Sequence, residues 1–310
     1  MHSLENDGVA GEGGGEARTG LREHVRPSVT RADEVVANAS GENFPVALRV
    51  LPRRYRRHLT NLYFFARLTD DLGDESREAG EDPARLRLRL LDELAADVNR
   101  IYQGTTPVSP VMQAMAETVR EGKVPEQPLL DLIQANRQDQ QVTRYPTFAD
   151  LVRYCELSAN PVGQVVLYIF GAATAERIAL SDQICTALQL AEHWQDVAED
   201  LARDRIYLPA EDLERYGCTE ADLAQPSASP AVRELMRFET DRAERLLDEG
   251  APLVGTLRGA ARLAVAGYLA GGRAALAAIA RQQYDVLRAQ SRPAKPRMAA
   301  ELARAYVRGR

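Results

Sequence analysis

The sequence predicts an all-α protein in which one helical domain surrounds a common interior. Helix-forming residues dominate after residue 30, and alternating apolar and polar runs typical of half-buried strands are scarce. Helix-boundary residues recur between the apolar segments, and no repeat of the length found in solenoids is visible. With 310 residues, 45% of them hydrophobic, the chain can bury a sizeable core.

The N-terminal segment differs in composition from the rest of the chain. Residues 1–29 include GVAGEGGGEARTG, which is too polar and glycine-rich to bury a core, so we expect a disordered tail. The helical domain is expected over residues 30–310, with Thr30 as the N-cap of its first helix. The tail has no charged region followed by an apolar one, so we expect no signal peptide.

Two early helices have clear boundary residues. Asp82 is the predicted N-cap of one helix, Pro83 its first residue, and Gly104 lies beyond its end. Residues 109–122 repeat this order of cap, proline and terminal glycine.

Longer helices are predicted downstream. Residues 148–173 read as one apolar helix kinked at Pro161, and residues 182–204 as another uninterrupted helix. Further helices are expected over 230–250, 257–290 and 296–310.

Composition excludes several classes of protein. The net charge of −6 gives no support for nucleic-acid binding. Three scattered cysteines and four separated histidines form neither a disulfide framework nor a metal cluster, which indicates a reducing, cytoplasmic setting. The apolar stretch 162–175 is interrupted and too short to cross a bilayer, although peripheral contact with a membrane surface stays open.

The first candidate site lies in NLYFFARLTDDLGDE. Asp70 and Asp74 are four residues apart and share a helix face, with Asp71 beside them. Arg67 lies one turn earlier on this stripe, and Tyr63 a further turn before it.

The second candidate site lies in EHWQDVAEDLARDRIY. Asp196 and Asp200 have the same four-residue spacing, with Glu199 adjacent, and Glu192 and Gln189 continue the stripe backwards.

Acidic pairs at this spacing destabilise a helix by about 0.2–0.5 kcal/mol each, so an offsetting interaction is expected. A solvated helix face would explain either pair alone. Two pairs on otherwise apolar helices favour an internal cleft holding Mg²⁺, which binds carboxylates together with substrate phosphates. Such a site suits ionisation of an activated diphosphate, with aromatic walls sheltering a carbocation. A di-iron site is disfavoured, because Glu192 and His193 are adjacent rather than three residues apart.

These segments resemble the squalene/phytoene synthase family, the head-to-head prenyl synthases. YFFARLTDDLGDE resembles the family's first aspartate-rich motif, LQLAEHWQDVAEDLARDRIYLP the second, and YCELSANPVG the segment that kinks beside the prenyl pocket. GENFPVALRVLPRRYRRHL and WQDVAED resemble most the hopanoid-pathway branch of hydroxysqualene synthases. The resemblance implies an isoprenoid synthase fold around a central cavity.

The resemblance also implies roles for individual residues. It places a Mg²⁺–diphosphate cluster at Asp70, Asp74, Asp196 and Asp200, next to Asp71 and Glu199. Glu192 stands where the family usually has asparagine, and its carboxylate could still ligate metal. Arg67 and Arg205 would contact diphosphate. The prenyl channel or its cation-stabilising wall would comprise Asn43, Phe44, Tyr63, Tyr154, Ala159, Gly163, Gln189 and Tyr207.

The implied reaction converts presqualene diphosphate and water into hydroxysqualene and diphosphate. The alternatives are condensation of two prenyl diphosphates, such as farnesyl diphosphate, and a non-catalytic lipid-binding role. The implied location is cytoplasmic, with peripheral contact at the inner membrane face. A companion synthase and a triterpene cyclase of the same pathway are the expected partners.

Overall fold

The computed structural model describes residues 51–74, 82–288 and 295–308. The predicted tail, the helix expected from Thr30, and the site residues Asn43 and Phe44 lie outside the described residues.

The described residues confirm the all-α prediction. Their β-structure is limited to one isolated parallel bridge between Arg144 and Ile206. The helices are α1 (Arg53–Asp74), α2 (Pro83–Tyr102), α3 (Pro110–Gly122), α4 (Gln127–Gln138), α5 (Phe148–Ser158), α6 (Asn160–Ile169), α7 (Ala175–Gln195), α8 (Val197–Ala202), α9 (Ala210–Arg215), α10 (Glu220–Leu223), α11 (Pro230–Gly250), α12 (Leu253–Thr256), α13 (Gly259–Arg281) and α14 (Lys295–Arg308).

The core consists of two apolar clusters that share helix α6. Helices α1 to α4 supply most of the first cluster, while α5, α7, α11 and α13 supply most of the second. Val165 and Val166 of α6 belong to the first cluster, and Leu167 belongs to the second. Helix α6 therefore joins the two halves, which place the two acidic segments on either side of it.

The predicted boundaries of α2 are confirmed. The side chain of Asp82 accepts a hydrogen bond from the Ala84 amide, and Pro83 is the first helical residue. Gly104 lies beyond the helix end at a φ of 72°, a left-handed conformation that glycine adopts without steric cost.

The predicted end of α3 is wrong by one residue. Gly122 is the last helical residue, and the left-handed residue is Lys123, with a φ of 54°. Buried Val124 follows directly and contributes to the first core cluster, so the chain must reverse at Lys123. Burial of Val124 therefore fixes the position of the turn, although the left-handed conformation of Lys123 costs some conformational energy.

The two long downstream helices are each interrupted. The first breaks at Ala159, two residues before Pro161, because proline has no amide hydrogen for the Leu157 carbonyl and its ring crowds that carbonyl. The second breaks at Asp196, whose amide donates to the carbonyl oxygens of both Glu192 and His193. Neither glycine nor proline marks this second break in the sequence.

Helix α13 is the described helix whose length and apolarity match a membrane span, rather than the stretch 162–175. Its most apolar window has a mean hydropathy of 1.5, and 67% of that window is buried inside the protein. It packs against α7, α11 and α14. Such burial is typical of a core helix.

Candidate functional site

The first acidic segment forms the C-terminal end of α1. Phe65 and Leu72 are buried and anchor the helix, while Asp70 and Asp71 are exposed on the opposite side. Arg67 forms an ion pair with Asp71 at 2.9 Å. Asp74 is the last residue of α1, and its side chain lies outside the described part of the chain.

The second acidic segment spans the break between α7 and α8. The Asp200 amide donates to the Asp196 carbonyl oxygen at 2.8 Å, so the four-residue spacing persists across the break. Trp194 is fully buried and fixes this end of α7 in the core. Asp196 and Asp200 are half-buried.

The C-terminal turn of α4 contacts the first acidic segment. Asn136 donates from Nδ2 to Asp70 Oδ1 at 3.3 Å, and Gln140 donates from Nε2 to the Gly73 carbonyl oxygen at 2.9 Å. A Cβ atom at Gly73 would clash with Asn136 Oδ1, so this approach depends on glycine.

The same turn of α4 also contacts the second half of the site. Asp139, three residues after Asn136, accepts a hydrogen bond from the Tyr154 hydroxyl at 2.8 Å. Tyr154 belongs to an aromatic cluster, which we define as Tyr145, Tyr154, His193 and Tyr207. All four side chains of this aromatic cluster are buried.

The rings of the aromatic cluster are in direct contact. His193 lies nearly parallel to Tyr207, with centroids 3.6 Å apart and planes inclined by 14°. Tyr145 stacks on Tyr207, with centroids 5.7 Å apart and planes inclined by 20°, and lies tilted by 47° against Tyr154, with centroids 5.5 Å apart. This geometry gives a continuous aromatic wall between α5 and the end of α7.

The three tyrosines stay protonated near neutral pH. Burial raises the pKa of Tyr145, Tyr154 and Tyr207, and the negative charge of Asp139 raises each further. The cluster therefore presents neutral phenols, which can donate hydrogen bonds.

A small pocket adjoins the aromatic cluster. Its polar lining comes from His193, Asp200, Arg205 and Tyr207. The Arg205 amide donates to the Asp200 carbonyl oxygen at 2.9 Å, which brings the segment after α8 back beside the second acidic segment. An arginine and a carboxylate thus lie at the end of the aromatic wall.

Other predicted channel residues occupy different positions. Gly163 lies where α6 crosses α7, and a Cβ atom there would clash with Ser181 and Cys185. Gly163 therefore allows α6 and α7 to pack closely. Ala159 lies at the break between α5 and α6, and Tyr63 packs edge-on against Phe64.

Sequence reasoning missed four residues of this site: Asn136, Asp139, Tyr145 and His193. Asn136 and Asp139 lie outside any acidic motif, although their spacing of three residues places them on one face of α4. His193 lies inside the second acidic segment, where its spacing from Glu192 indicates only that the pair does not suit a di-iron site.

The donor chemistry of the site fits Mg²⁺. Both acidic segments offer carboxylate oxygens, which Mg²⁺ prefers, and it commonly takes one or two of them along with phosphate oxygens and water. Within the described residues, no group of three or more histidine, cysteine or acidic side chains lies close enough together to hold a metal ion.

Comparison with known proteins finds related sequences over most of this chain. A model of the squalene/phytoene synthase family matches residues 37–299. A hydroxysqualene synthase from Rhodopseudomonas palustris is 32% identical over 218 residues, covering 70% of this chain and 72% of that protein. The chain belongs to the squalene/phytoene synthase family. Its members are synthases that act on prenyl diphosphates.

Two further members of the squalene/phytoene synthase family cover more of the chain. A phytoene synthase from Arthrospira platensis is 31% identical and spans 84% of this chain and 89% of its own length. The solved structure of squalene synthase HpnC from Alicyclobacillus acidocaldarius is 38% identical, with a TM-score of 0.74. It covers 87% of this chain and 99% of its own, and confirms the predicted isoprenoid synthase fold.

Proposed function

We propose that this member of the squalene/phytoene synthase family is a Mg²⁺-dependent hydroxysqualene synthase. It converts presqualene diphosphate and water into hydroxysqualene and diphosphate. The observation that carries the proposal is the C-terminal turn of α4, which contacts Asp70 of the first acidic segment through Asn136 and the aromatic cluster through Asp139. Two members of that cluster, His193 and Tyr207, line the same pocket as Asp200 of the second segment.

Charged residues would bind the leaving diphosphate, and aromatic residues would shield the carbocation. The bond between the cyclopropylcarbinyl carbon of presqualene diphosphate and the diphosphate oxygen breaks, and the leaving diphosphate keeps the electron pair. Arg205, which lies in the pocket beside Asp200, would receive the diphosphate, with Arg67 approaching from α1. Bound Mg²⁺ would supply further neutralisation of the leaving group, held by Asp70, Asp74, Asp196 and Asp200, with Asp71, Glu192 and Glu199 close by.

The aromatic wall fits the cationic stage. Neutral Tyr154 and Tyr207 present π faces and hydroxyl dipoles, and their burial keeps bulk water away. After the cation rearranges, one water oxygen forms the new carbon–oxygen bond and releases one proton. Capture by water therefore requires a single held water rather than open solvent.

Similarity to hydroxysqualene synthases supports the choice of reaction. The segment around Asn43 and Phe44, which resembles the hydroxysqualene synthase branch of the family, agrees with it. The broad match to a phytoene synthase favours the second candidate, condensation of two prenyl diphosphates. A substrate panel separates these two reactions.

The test is incubation of the purified full chain with Mg²⁺ and presqualene, farnesyl or geranylgeranyl diphosphate, followed by mass spectrometry. We expect presqualene diphosphate to yield the alcohol, with ¹⁸O incorporated from labelled water, and farnesyl diphosphate alone to remain unconsumed. If the protein consumes farnesyl or geranylgeranyl diphosphate when that is the only prenyl substrate supplied, the reaction is condensation instead. Binding without turnover of any of the three would indicate the non-catalytic lipid-binding role.

We also propose a cytoplasmic enzyme with peripheral contact at the inner membrane face, acting beside a companion synthase and a triterpene cyclase. The apolar substrate and product motivate this part of the proposal. In the described C-terminal region, Arg288 and Arg304 are ion-paired with Asp285 and Glu301. Vesicle flotation with anionic lipid tests the membrane contact, and recovery of the protein in the unbound fraction would contradict it.

A further inference from the structure

His193 links Gln189, a predicted residue of the prenyl channel, to the second acidic segment. Its Nε2 atom lies 3.1 Å from Gln189 Nε2, and its Nδ1 atom lies 3.9 Å from Asp200 Oδ2. The ring is buried, with 7% of its surface exposed, and stacks flat on Tyr207. The imidazole therefore has a fixed plane and a defined neighbour at each nitrogen.

The contact with Gln189 sets the role of one ring nitrogen. The amide nitrogen of Gln189 can donate but cannot accept, so His193 Nε2 must accept the hydrogen bond. Nδ1, on the other side of the ring, faces the Asp200 carboxylate. The ring therefore meets the Gln189 amide on one side and a carboxylate on the other.

We propose that His193 is a positioning residue that fixes the side-chain amide of Gln189 for the water-capture step. With the amide nitrogen held against His193, the amide oxygen of Gln189 occupies the other arm of the amide and faces away from the ring. That oxygen is an acceptor able to hold one water molecule by its proton. This inference rests on the proposed hydroxysqualene synthase reaction.

The location agrees with this role. Gln189 lies one helical turn before His193 and two turns before Asp196 on α7, and it is half-buried. It is therefore set back from the carboxylates that would meet the diphosphate, on the stripe that leads away from them.

Two substitutions distinguish positioning from packing. His193→Phe keeps an aromatic ring against Tyr207 but removes both nitrogen atoms. His193→Gln loses the ring but offers an amide oxygen as an acceptor near the position of Nε2. Positioning predicts that the glutamine variant retains more water capture than the phenylalanine variant, whereas packing predicts the reverse.

The experiment measures kcat, KM and the ratio of alcohol to the hydrocarbon formed by proton loss, using presqualene diphosphate and Mg²⁺. We expect His193→Phe to lower the alcohol ratio about fivefold, the effect of one net hydrogen bond, with KM changed less than twofold. His193→Gln should recover at least half of that ratio. An alcohol ratio in His193→Phe equal to that of the wild type would overturn the proposal. So would an alcohol ratio in His193→Gln below that of His193→Phe.

A double-mutant cycle separates loss of the contact between His193 and Gln189 from general misfolding of the variant. Gln189→Met removes the amide, so adding His193→Phe to it should lower the alcohol ratio no further. An additional loss equal to that seen in the wild-type background would show that His193 acts independently of Gln189 and would overturn the proposal. If the wild-type chain forms no alcohol, the proposed function fails. The water-capture inference fails with it, whereas an unchanged alcohol ratio in His193→Phe, beside a wild type that forms alcohol, overturns this inference alone.

Discussion

Asn136 on α4 donates a hydrogen bond to Asp70 on α1 across 3.3 Å, between helices far apart in the sequence. Three residues later, directly after the last residue of α4, Asp139 accepts a hydrogen bond from Tyr154. The end of α4 therefore ties the first acidic segment to the aromatic cluster and, through Tyr207 and His193, to the pocket that contains Asp200.

Neutralising one carboxylate in each acidic segment should abolish turnover with little effect on folding. For Asp70→Asn and Asp196→Asn we expect kcat for diphosphate release to fall at least about 100-fold, since stabilisation of the leaving charge is lost. Asp70 is exposed and Asp196 half-buried, so stability should change by about 0.5 kcal/mol or less. Released diphosphate and thermal melting measure the two effects.

Asp248→Asn is the matched control for these variants. Asp248 is an exposed carboxylate of α11 that pairs with Arg273, away from both acidic segments. It should keep wild-type turnover. Equal losses in all three variants would mean that general charge, rather than these two carboxylates, governs the rate.

A methyl group at Gly73 should disturb the site more than the fold. In Gly73→Ala, Cβ would displace the amide end of Asn136, and with it the hydrogen bond to Asp70. Because the obstructing atom ends a flexible side chain, we expect a stability loss of about 1 kcal/mol and a fall in kcat of about tenfold. Kinetics and urea denaturation report these changes.

Asn136→Ala supplies the second arm of this cycle. It removes the clashing amide, so Gly73→Ala should cost little more in the Asn136→Ala background. Additive losses in kcat would show that Gly73 and Asn136 act separately and that the contact between α1 and α4 does not orient Asp70.

Removing the Tyr154 hydroxyl should weaken the junction between α4 and α5. Tyr154→Phe loses the hydrogen bond to Asp139, a charged acceptor, and we expect unfolding to become easier by about 1.5–3 kcal/mol. Denaturant titration measures the change. In an Asp139→Asn background the same substitution should cost about half as much, because the acceptor is then neutral; an undiminished cost would indicate that the hydroxyl matters through another partner.

Glu239 gives the fold a predicted pH dependence. It is fully buried on α11, and burial raises its pKa to about 8, although Arg242 beside it opposes the shift. The unfolded pKa is about 4.3, so between these values the folded state binds the extra proton, and stability falls as pH rises through this window. Above about pH 8 the loss from this group is complete.

Glu239→Gln should therefore flatten the decline in unfolding free energy between pH 5 and 8, measured by urea titration at each pH. Arg242 should stay in place, because it also binds Asp212 at 2.8 Å and lies over the Phe148 ring. A variant whose stability falls with pH as steeply as that of the wild type would show that another group is responsible.

The helical class and the two acidic segments were predictable because both depend on local spacing. Asp82 and Pro83 specify the start of α2, and four-residue acidic spacing marks Asp70 and Asp196. The break at Asp196 was not predictable, because no glycine or proline accompanies it and its turn relies on amide bonding to two preceding carbonyls.

The rest of the site depends on contacts between distant segments. Asn136 and Asp139 become site residues only when the end of α4 reaches α1 and α5, which no local pattern encodes. His193 was visible within its segment, yet its role follows from stacking on Tyr207 and from the neighbouring Gln189 amide. Tertiary packing thus decides which polar residues join the motifs.

The most direct measurement is an experimental structure of the chain with Mg²⁺ and an unreactive thio analogue of presqualene diphosphate. We expect one diphosphate bridged by Mg²⁺ to Asp70 on one side and to Asp196 or Asp200 on the other, with the prenyl chain along Tyr154 and Tyr207. A diphosphate bound elsewhere, or ions that reach only one acidic segment while the other faces solvent, would contradict it.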